Sequence, residues 1–401
     1  MPGDRGPTPL AARARVAIVL AFVGVGLLLA VWLVHIPVVQ GRAELSHDAL
    51  GFALLALGAG SFVAMQLAGV TVSRLGAKPV VVAGLTLMAT TLILPALAWD
   101  VWSLSVALFC FGAGNGLCEV SMNAEAVEIE ADIGRPIMSS FHAMFSVGTA
   151  VGAGLGALLQ ATPMGIGASF GLVCALGVAL AVAVALLLPA RDRARFGARE
   201  EATTSTSAAP NLRLRIVIMA VLAFLLFLAE GVANDWSALH AGEQFNVSTS
   251  AAAFAYGTFA VSMTVGRLVI DRIVLVAGPV RVVRYGSALA ALGLVVVMLS
   301  SQFALALAGW AIFALGLAGV VPQIFSSAGN LPVARRPVIL SRVVGAGYIG
   351  LLAGPAIVGF FAEAWTLNTA LILPVLVCVF GVVTASVVAP VATPAASTSS
   401  R

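Results

Sequence analysis

Apolar residues run through this chain in long blocks, and polar side chains gather in the short breaks between them. Twelve blocks can be marked, near positions 16–36, 50–70, 79–98, 102–124, 138–160, 165–189, 216–239, 251–276, 280–300, 303–325, 338–362 and 367–390. Each is about twenty residues long, enough for a helix to cross ~30 Å of hydrocarbon. The first block follows Arg13 and Arg15, as the core of a signal peptide would. It is too long for that role and lacks a small-x-small cleavage site, so it reads as a span.

One break differs from the rest. Between the sixth and seventh blocks, Arg191 to Asn211 is rich in Arg and then in Ser, Thr, Ala and Pro, the composition of a flexible linker. The segments on either side echo one another. Arg13-Ala-Arg15 returns as Arg213-Leu-Arg215, Ser73-Arg74 as Asp271-Arg272, and Arg135-Pro136-Ile137 as Arg336-Pro337-Val338. Gly116-Leu117 returns as Gly316-Leu317, with Gln323 standing where Asn123 stood. A near-constant offset of half the chain argues for a duplicated bundle. The expected architecture is an all-α membrane protein of twelve transmembrane helices in two pseudo-symmetric six-helix bundles, residues 13–189 and 213–390. A cytoplasmic linker (190–212) joins them, and disordered tails (1–12 and 391–401) flank them.

Composition agrees. The chain is 61% hydrophobic and 9% charged, with a mean hydropathy of +1.07, outside the balance of soluble globular proteins. With a cytoplasmic amino terminus, 20 of the 21 Lys and Arg residues fall on the inner side and only Arg42 outside. That is the bias of the positive-inside rule, and it favours an even number of spans. The net charge of +4 then reflects topology and gives no sign of a nucleic-acid partner. Trp32, Trp99, Trp102, Trp236, Trp310 and Trp365 all fall in the outer half, as an interfacial belt would. Cys110, Cys118, Cys174 and Cys378 lie inside blocks without metal-ligand spacing, and read as small apolar packing residues.

Intramembrane polarity is densest in the fourth and fifth blocks. Asn115, Glu119 and Asn123 recur every fourth residue and share one helical face; Ser139, His142, Ser146 and Thr149 share another. A carboxylate and an imidazole at that depth are costly in hydrocarbon unless they face a bundle interior or a wet cavity. They form a candidate proton or substrate site. The seventh block adds Glu230 and Asn234 on one face, with Asp235 and Trp236 nearer the outside. An unpaired carboxylate there takes up a proton or requires a cation; a structural Glu230 pinned by interhelical hydrogen bonds is the alternative. Tyr256 in the eighth block and Gln323 in the tenth complete the candidate binding set.

A second group of charges sits at the span ends. Arg74 and Lys78 belong to the Gly-rich turn from Gly69 to Lys78, where they either dock on carboxylates and helix ends or anchor the inner face. Asp271 and Arg272 form the matching corner of the second half, a structural and gating element rather than a ligand site. Arg342 lies about one and a half turns into the eleventh block. It either latches the inner side against a first-half carboxylate or snorkels to the headgroups. Asp235 is grouped with these gating residues, since it can cap its helix at the outer surface.

The glycine runs Gly112-Ala-Gly114-Asn-Gly116 and Gly148 to Gly156 imitate dinucleotide fingerprints only as text, because no strand precedes them. Close helix packing is the better reading. No nucleophile elbow, no metal constellation and no soluble segment able to hold an active site is found, so neither an enzyme nor a cofactor is expected.

Together these features resemble the major facilitator superfamily across residues 13–390. The segment Gly69-x3-Ser73-Arg74-x-Gly76-x-Lys78 is similar to that family's Gly-x3-Asp-Arg-x-Gly-Arg-Arg/Lys corner, with Ser73 in place of the acid that Asp271 keeps in the second half. More narrowly, Glu119-x3-Asn123, the segment Arg135 to His142 and Glu230-x4-Asp235-Trp236-Ser237 resemble a bacterial subgroup related to the fucose:proton symporter. The resemblance implies a multi-pass protein of the bacterial cytoplasmic membrane, with both termini inside. It implies a sugar and proton role for Glu119 and, more loosely, Asn123. The first span holds no acid to match that symporter's first-span Asp, so a second coupling group has to come from Glu230 or His142.

The function expected is secondary active transport of a small solute, sugar-like or another small metabolite, by alternating access coupled to protons. Its partners are that solute, protons and the lipid bilayer, and the chain acts as a monomer. A proton-antiporting drug or metabolite exporter on the same fold is one alternative. A non-transporting membrane sensor is the other.

Overall fold

Three of the apolar blocks break ahead of a proline in the computed structural model, while Pro37 and Pro355 lie within unbroken helices. The structure describes residues 9–190, 211–332 and 336–390, the side chains of residues 47–48, 249–250 and 355–356 excepted. A proline ring clashes with the carbonyl four residues back. Helices accordingly stop at Thr91 ahead of Pro95, at Leu317 ahead of Pro322 and at Ala370 ahead of Pro374. The described residues form α1 (Pro9–Arg42), α2 (His47–Leu75), α3 (Ala77–Thr91) continued by α4 (Leu94–Leu97), α5 (Val101–Ile133), α6 (Met138–Gln160) and α7 (Ile166–Leu187). The second half holds α8 (Leu212–Phe245), α9 (Thr249–Ala277), α10 (Pro279–Leu299), α11 (Phe303–Leu317) continued by α12 (Val320–Gly329), and α13 (Arg336–Ala364). It ends with α14 (Leu367–Ala370), α15 (Ile372–Thr384) and a 3₁₀ turn, Ala385–Val388. Among the described residues there is no strand.

These helices make the twelve expected crossings. Eleven segments are long and apolar enough to cross a membrane by length and composition. The other is α9, which is richer in Ser, Thr and Gly and carries Arg267, Asp271 and Arg272. Buried apolar side chains gather in one cluster between Ala14 and Leu188 and a second between Met219 and Val388. Met65, Ala68 and Val120 of the first half join the second cluster, so the halves touch through α2 and α5.

The two halves repeat one packing scheme. Helix α1 lies on α6 as α8 lies on α13, and α3 lies on α5 as α10 lies on α11. Gly148 and Gly152 meet the backbone of Val23 and Leu27; their counterparts Gly350 and Gly354 meet that of Phe224 and Leu228. The glycine runs are therefore close-packing surfaces, which is how helices associate where lipid is as apolar as leucine. Between the halves, α2 packs on α13 and α6 on α9. Arg13 donates to the carbonyl of Leu186 and Arg215 to that of Val387. The beginnings and ends of both halves thus share one face, called here the basic face.

Some expectations change. Helix α1 starts at Pro9, within the stretch expected to be a tail; residues 1–8, 191–210 and 391–401 lie outside the described residues. Trp99, Trp102 and Trp365 are exposed as belt residues would be, but Trp32 and Trp310 are fully buried, each with an indole N–H lacking a partner. Those two fill the bundle interiors and do not anchor the interface. His35, near the end of the first apolar block, is also buried; its Nδ1–H donates to the Val31 carbonyl at 2.8 Å and its ring meets Phe170 edge-on.

Gly350→Ala sets a methyl against the Phe224 backbone and forces α8 and α13 apart. It should cost about 1–3 kcal/mol, read as a lower melting temperature of the purified protein. Gly154→Ala, facing open space, should leave the melting temperature unchanged or slightly raised.

Candidate functional site

Helix α5 runs toward the basic face and presents Asn115, Glu119 and Asn123 on one buried stripe. Their spacing alone puts them there; their partners come from other helices. The Nδ2 of Asn123 donates to the backbone carbonyl of Glu119 at 2.7 Å and reaches the carboxylate Oε2 at 3.5 Å. Its Oδ1 faces Nε2 of His142 on α6 at 3.2 Å, so that ring nitrogen carries the proton and donates. Asn115 donates from Nδ2 to Ser61 on α2 at 3.3 Å, and Ser61 donates to the Gly112 carbonyl at 2.9 Å. From the other half, Tyr348 on α13 brings its phenol to Glu119 and Asn115.

Aromatic rings close this row into a circuit. His142 meets Phe325 of α12 with ring centroids 5.9 Å apart, Phe325 stacks on Phe227 of α8 at 5.9 Å, and Phe227 meets Tyr348 at 5.8 Å. Glu119, Asn123 and His142 supply the polar arc from one half; Phe325, Phe227 and Tyr348 supply the aromatic arc from the other. Phe22 of α1 backs His142 at 5.3 Å.

A second polar cluster lies beside the first. Arg267 on α9 pairs with Glu230 on α8 at 3.0 Å, and both side chains are largely buried. Its other terminal nitrogen donates at 3.3 Å to Ser146, one turn along α6 from His142, while its Nε has no partner. Glu230 is therefore an ion-paired carboxylate. Asp235 and Tyr256 lie close enough to act electrostatically on one another, yet both are exposed, as is Asn234. Gln323 is buried with its Nε2 unpartnered. The binding residues read from the sequence thus separate into the Glu119 circuit, the Glu230 pair and a more open fringe.

On the basic face, the first turn of α6 is held by two carboxylates. Asp271 of α9 accepts from the Ser139 and Ser140 N–H groups at 3.1 and 2.7 Å and from the Ser140 hydroxyl. Glu130 of α5 accepts from the Ile137 and Met138 N–H groups, both at 2.9 Å, and from the hydroxyl of Ser326 on α12. Those N–H groups would otherwise be unpaired, and the helix dipole favours anions there. The first-half corner works differently: Ser73 donates to its own Val70 carbonyl, and the adjacent contact is Gly69 pressed against Pro337 and Ser341 of α13. Arg74, Arg272 and Arg342 are exposed and Lys78 partly so. The latch offered to Arg342 by its sequence position is not made; Asp271, Glu130 and Arg267 join the halves.

Sequence reasoning passed over Arg267, Tyr348 and Glu130. Arg267 precedes Asp271 by one helical turn, so the corner and the buried pair share a face of α9. A cation that far from the α9 terminus was the available signal. Nothing in the spacing around Tyr348 reveals that it faces Glu119.

Duplicated helical bundles that meet around buried polar side chains define a membrane transporter architecture. Residues 16–332 match the family model of the Major Facilitator Superfamily. An uncharacterised MFS-type transporter of Yersinia pestis is 34% identical over 351 residues, covering 88% of this chain and 89% of its own. The membrane protein MosC of Rhizobium meliloti is 29% identical over 348 residues, covering 86% and 83%. Among solved structures, FucP in its outward conformation has a TM-score of 0.76 at 18% identity, covering 94% of this chain and 98% of FucP. FucP is the fucose:proton symporter of E. coli. The human organic anion transporter MFSD10 gives 0.77 at 16% identity, covering 94% and 100%. The chain belongs to the major facilitator superfamily: it is a multi-pass membrane transporter that shares its fold with FucP, and not an enzyme.

Removing one member of the buried ion pair leaves the other uncompensated. Arg267→Met should destabilise the protein by about 3–5 kcal/mol, and Arg267→Met with Glu230→Gln should recover most of that loss in melting temperature. A double variant no more stable than the single one would show that Arg267 acts through other contacts.

Proposed function

We propose that this protein is a secondary active transporter that moves a small solute by alternating access, with Glu119 as the proton-coupling residue. The observation that carries this reading is the closed circuit through Glu119, in which a first-half carboxylate is held by a second-half phenol. An ionised carboxylate accepts a hydroxyl hydrogen bond more strongly than a neutral acid does. Ionised Glu119 therefore favours the arrangement in which Tyr348 and α5 stay together. Protonation, or engagement by a solute, weakens that bond and lets the halves part.

The positive-inside bias makes the basic face cytoplasmic, with both termini inside a bacterial inner membrane. Asp271 on α6, Glu130 on Ser326 and Tyr348 at Glu119 then close the cytoplasmic side. Opening it requires α6 to leave Asp271, a contact of oriented N–H groups that breaks as a unit. His142 is the proton partner of Glu119, with Asn123 holding the two in register. Arg267 pairs with Glu230, so Glu119 is the carboxylate of the binding region without an ion-pair partner among the described residues. The transporter works as a monomer, since each half supplies part of one shared circuit.

The test uses proteoliposomes under an imposed pH gradient, with a solute chosen by its ability to raise the melting temperature of the purified protein. Glu119→Gln should abolish gradient-driven accumulation or efflux. Gradient-driven transport at the wild-type level in Glu119→Gln would sink the assignment.

A further inference from the structure

Most donors of the circuit around Glu119 are engaged within it. Asn123 donates to the Glu119 backbone, Asn115 to Ser61, and His142 to Asn123. The Tyr348 hydroxyl is directed at the Glu119 carboxylate. What remains open is acceptor capacity: the Glu119 carboxylate and, one turn along the same face, the Oδ1 of Asn115. That oxygen belongs to a residue 4% exposed and has no hydrogen-bond partner. A buried acceptor left unpaired is costly, and what it lacks is a donor.

Charge points the same way. The Arg267 guanidinium is engaged by Glu230, and no ion pair to Glu119 is found among the described residues. The ionisable groups around Glu119 are Cys118 of its own helix, Tyr348 from α13 and His142 from α6, with Glu230 of α8 and Arg267 of α9 beyond them. Helices α1, α2, α3 and α12 bring no ionisable side chain to its depth. Phe22, Phe227, Phe325 and Tyr348 flank the region, and the faces of such rings attract cations. Among the described residues, the loops and helix ends opposite the basic face carry Glu44, Asp100, Glu243 and Glu363 against Arg42, a field that draws cations toward that side.

We infer that the transported solute is a small organic ammonium ion, its N–H groups on Glu119 and Asn115 and its apolar body against the aromatic arc. This sharpens the reading of Glu119 as the coupling residue and rests on it. One carboxylate holds either a proton or the ammonium, so each displaces the other and transport is an exchange. A neutral polyol is a poorer match, because it brings no positive charge to offset the buried Glu119 carboxylate.

The experiment follows thermal melting of the purified full-length protein with cyclohexylammonium, cyclohexanol and cyclohexanecarboxylate at pH 6 and pH 8. The amine is protonated at both values, as a lysine side chain is. Cyclohexylammonium should stabilise the protein at pH 8 at concentrations where the alcohol and the acid do not. Its half-saturating concentration should rise about tenfold at pH 6, where the proton competes for Glu119. Glu119→Gln should remove both the stabilisation and its pH dependence. Asn115→Leu, which keeps the carboxylate, should weaken binding about fivefold and serves if the first variant does not fold.

No response to the amine at pH 8, an equal response to cyclohexanol, or an unchanged response in both variants overturns the ammonium assignment. Failure of the coupling role shows separately, as gradient-driven transport that survives Glu119→Gln. An alcohol response that depends on pH and on Glu119 leaves coupling standing and removes only the solute class.

Discussion

A carboxylate cannot stay charged inside hydrocarbon without a partner, and this protein places its deepest ones where two helical bundles meet. Glu119 is held between Asn123 of its own helix and Tyr348 of the opposite half. Glu230 is held by Arg267, which also reaches Ser146 across the divide. Because buried charge is tolerable only while such contacts persist, the energy of each carboxylate is tied to how the halves sit against one another. A change of charge or ligand at Glu119 is then also a change in the preferred arrangement of the bundles.

Around that centre, close helix contact does the structural work. Gly148 and Gly152 bring α6 against α1, and Gly350 and Gly354 bring α13 against α8. Each half is thereby closely packed within itself. The duplication is not carried through to the gates. Asp271 in the second half reaches across to the first turn of α6, whereas Ser73 in the first half bonds only its own helix. Its side of the interface relies on Gly69 packed against α13 instead. One contact between the halves is electrostatic and the other steric, so charge changes near α6 act on one side of the pseudo-symmetric pair.

Within α6, His142, Ser146 and the Ser139–Ser140 amides lie along two turns and touch the Glu119 circuit, the Arg267 pair and Asp271 in succession. A short shift of this helix alters all three together. Under the proposed function, that is the physical route by which protonation of Glu119 would reach the contacts on the basic face.

Much of this was legible in the chain itself, because the signals are local. Hydrophobic block lengths set the number of crossings, and proline positions set the breaks at Thr91, Leu317 and Ala370. The fourfold spacing of Asn115, Glu119 and Asn123 set a shared face, and the half-chain echoes set the duplication. What no spacing reveals is which face meets which across the two halves. Tyr348 against Glu119, Arg267 between Glu230 and Ser146, and Glu130 on Ser326 join residues far apart in the chain. Their encounter depends on how whole bundles pack, so the tertiary structure alone decided them. It also decided that Trp32, Trp310 and His35 are interior residues, since a side chain near a span end points outward or inward according to neighbours its own sequence does not name.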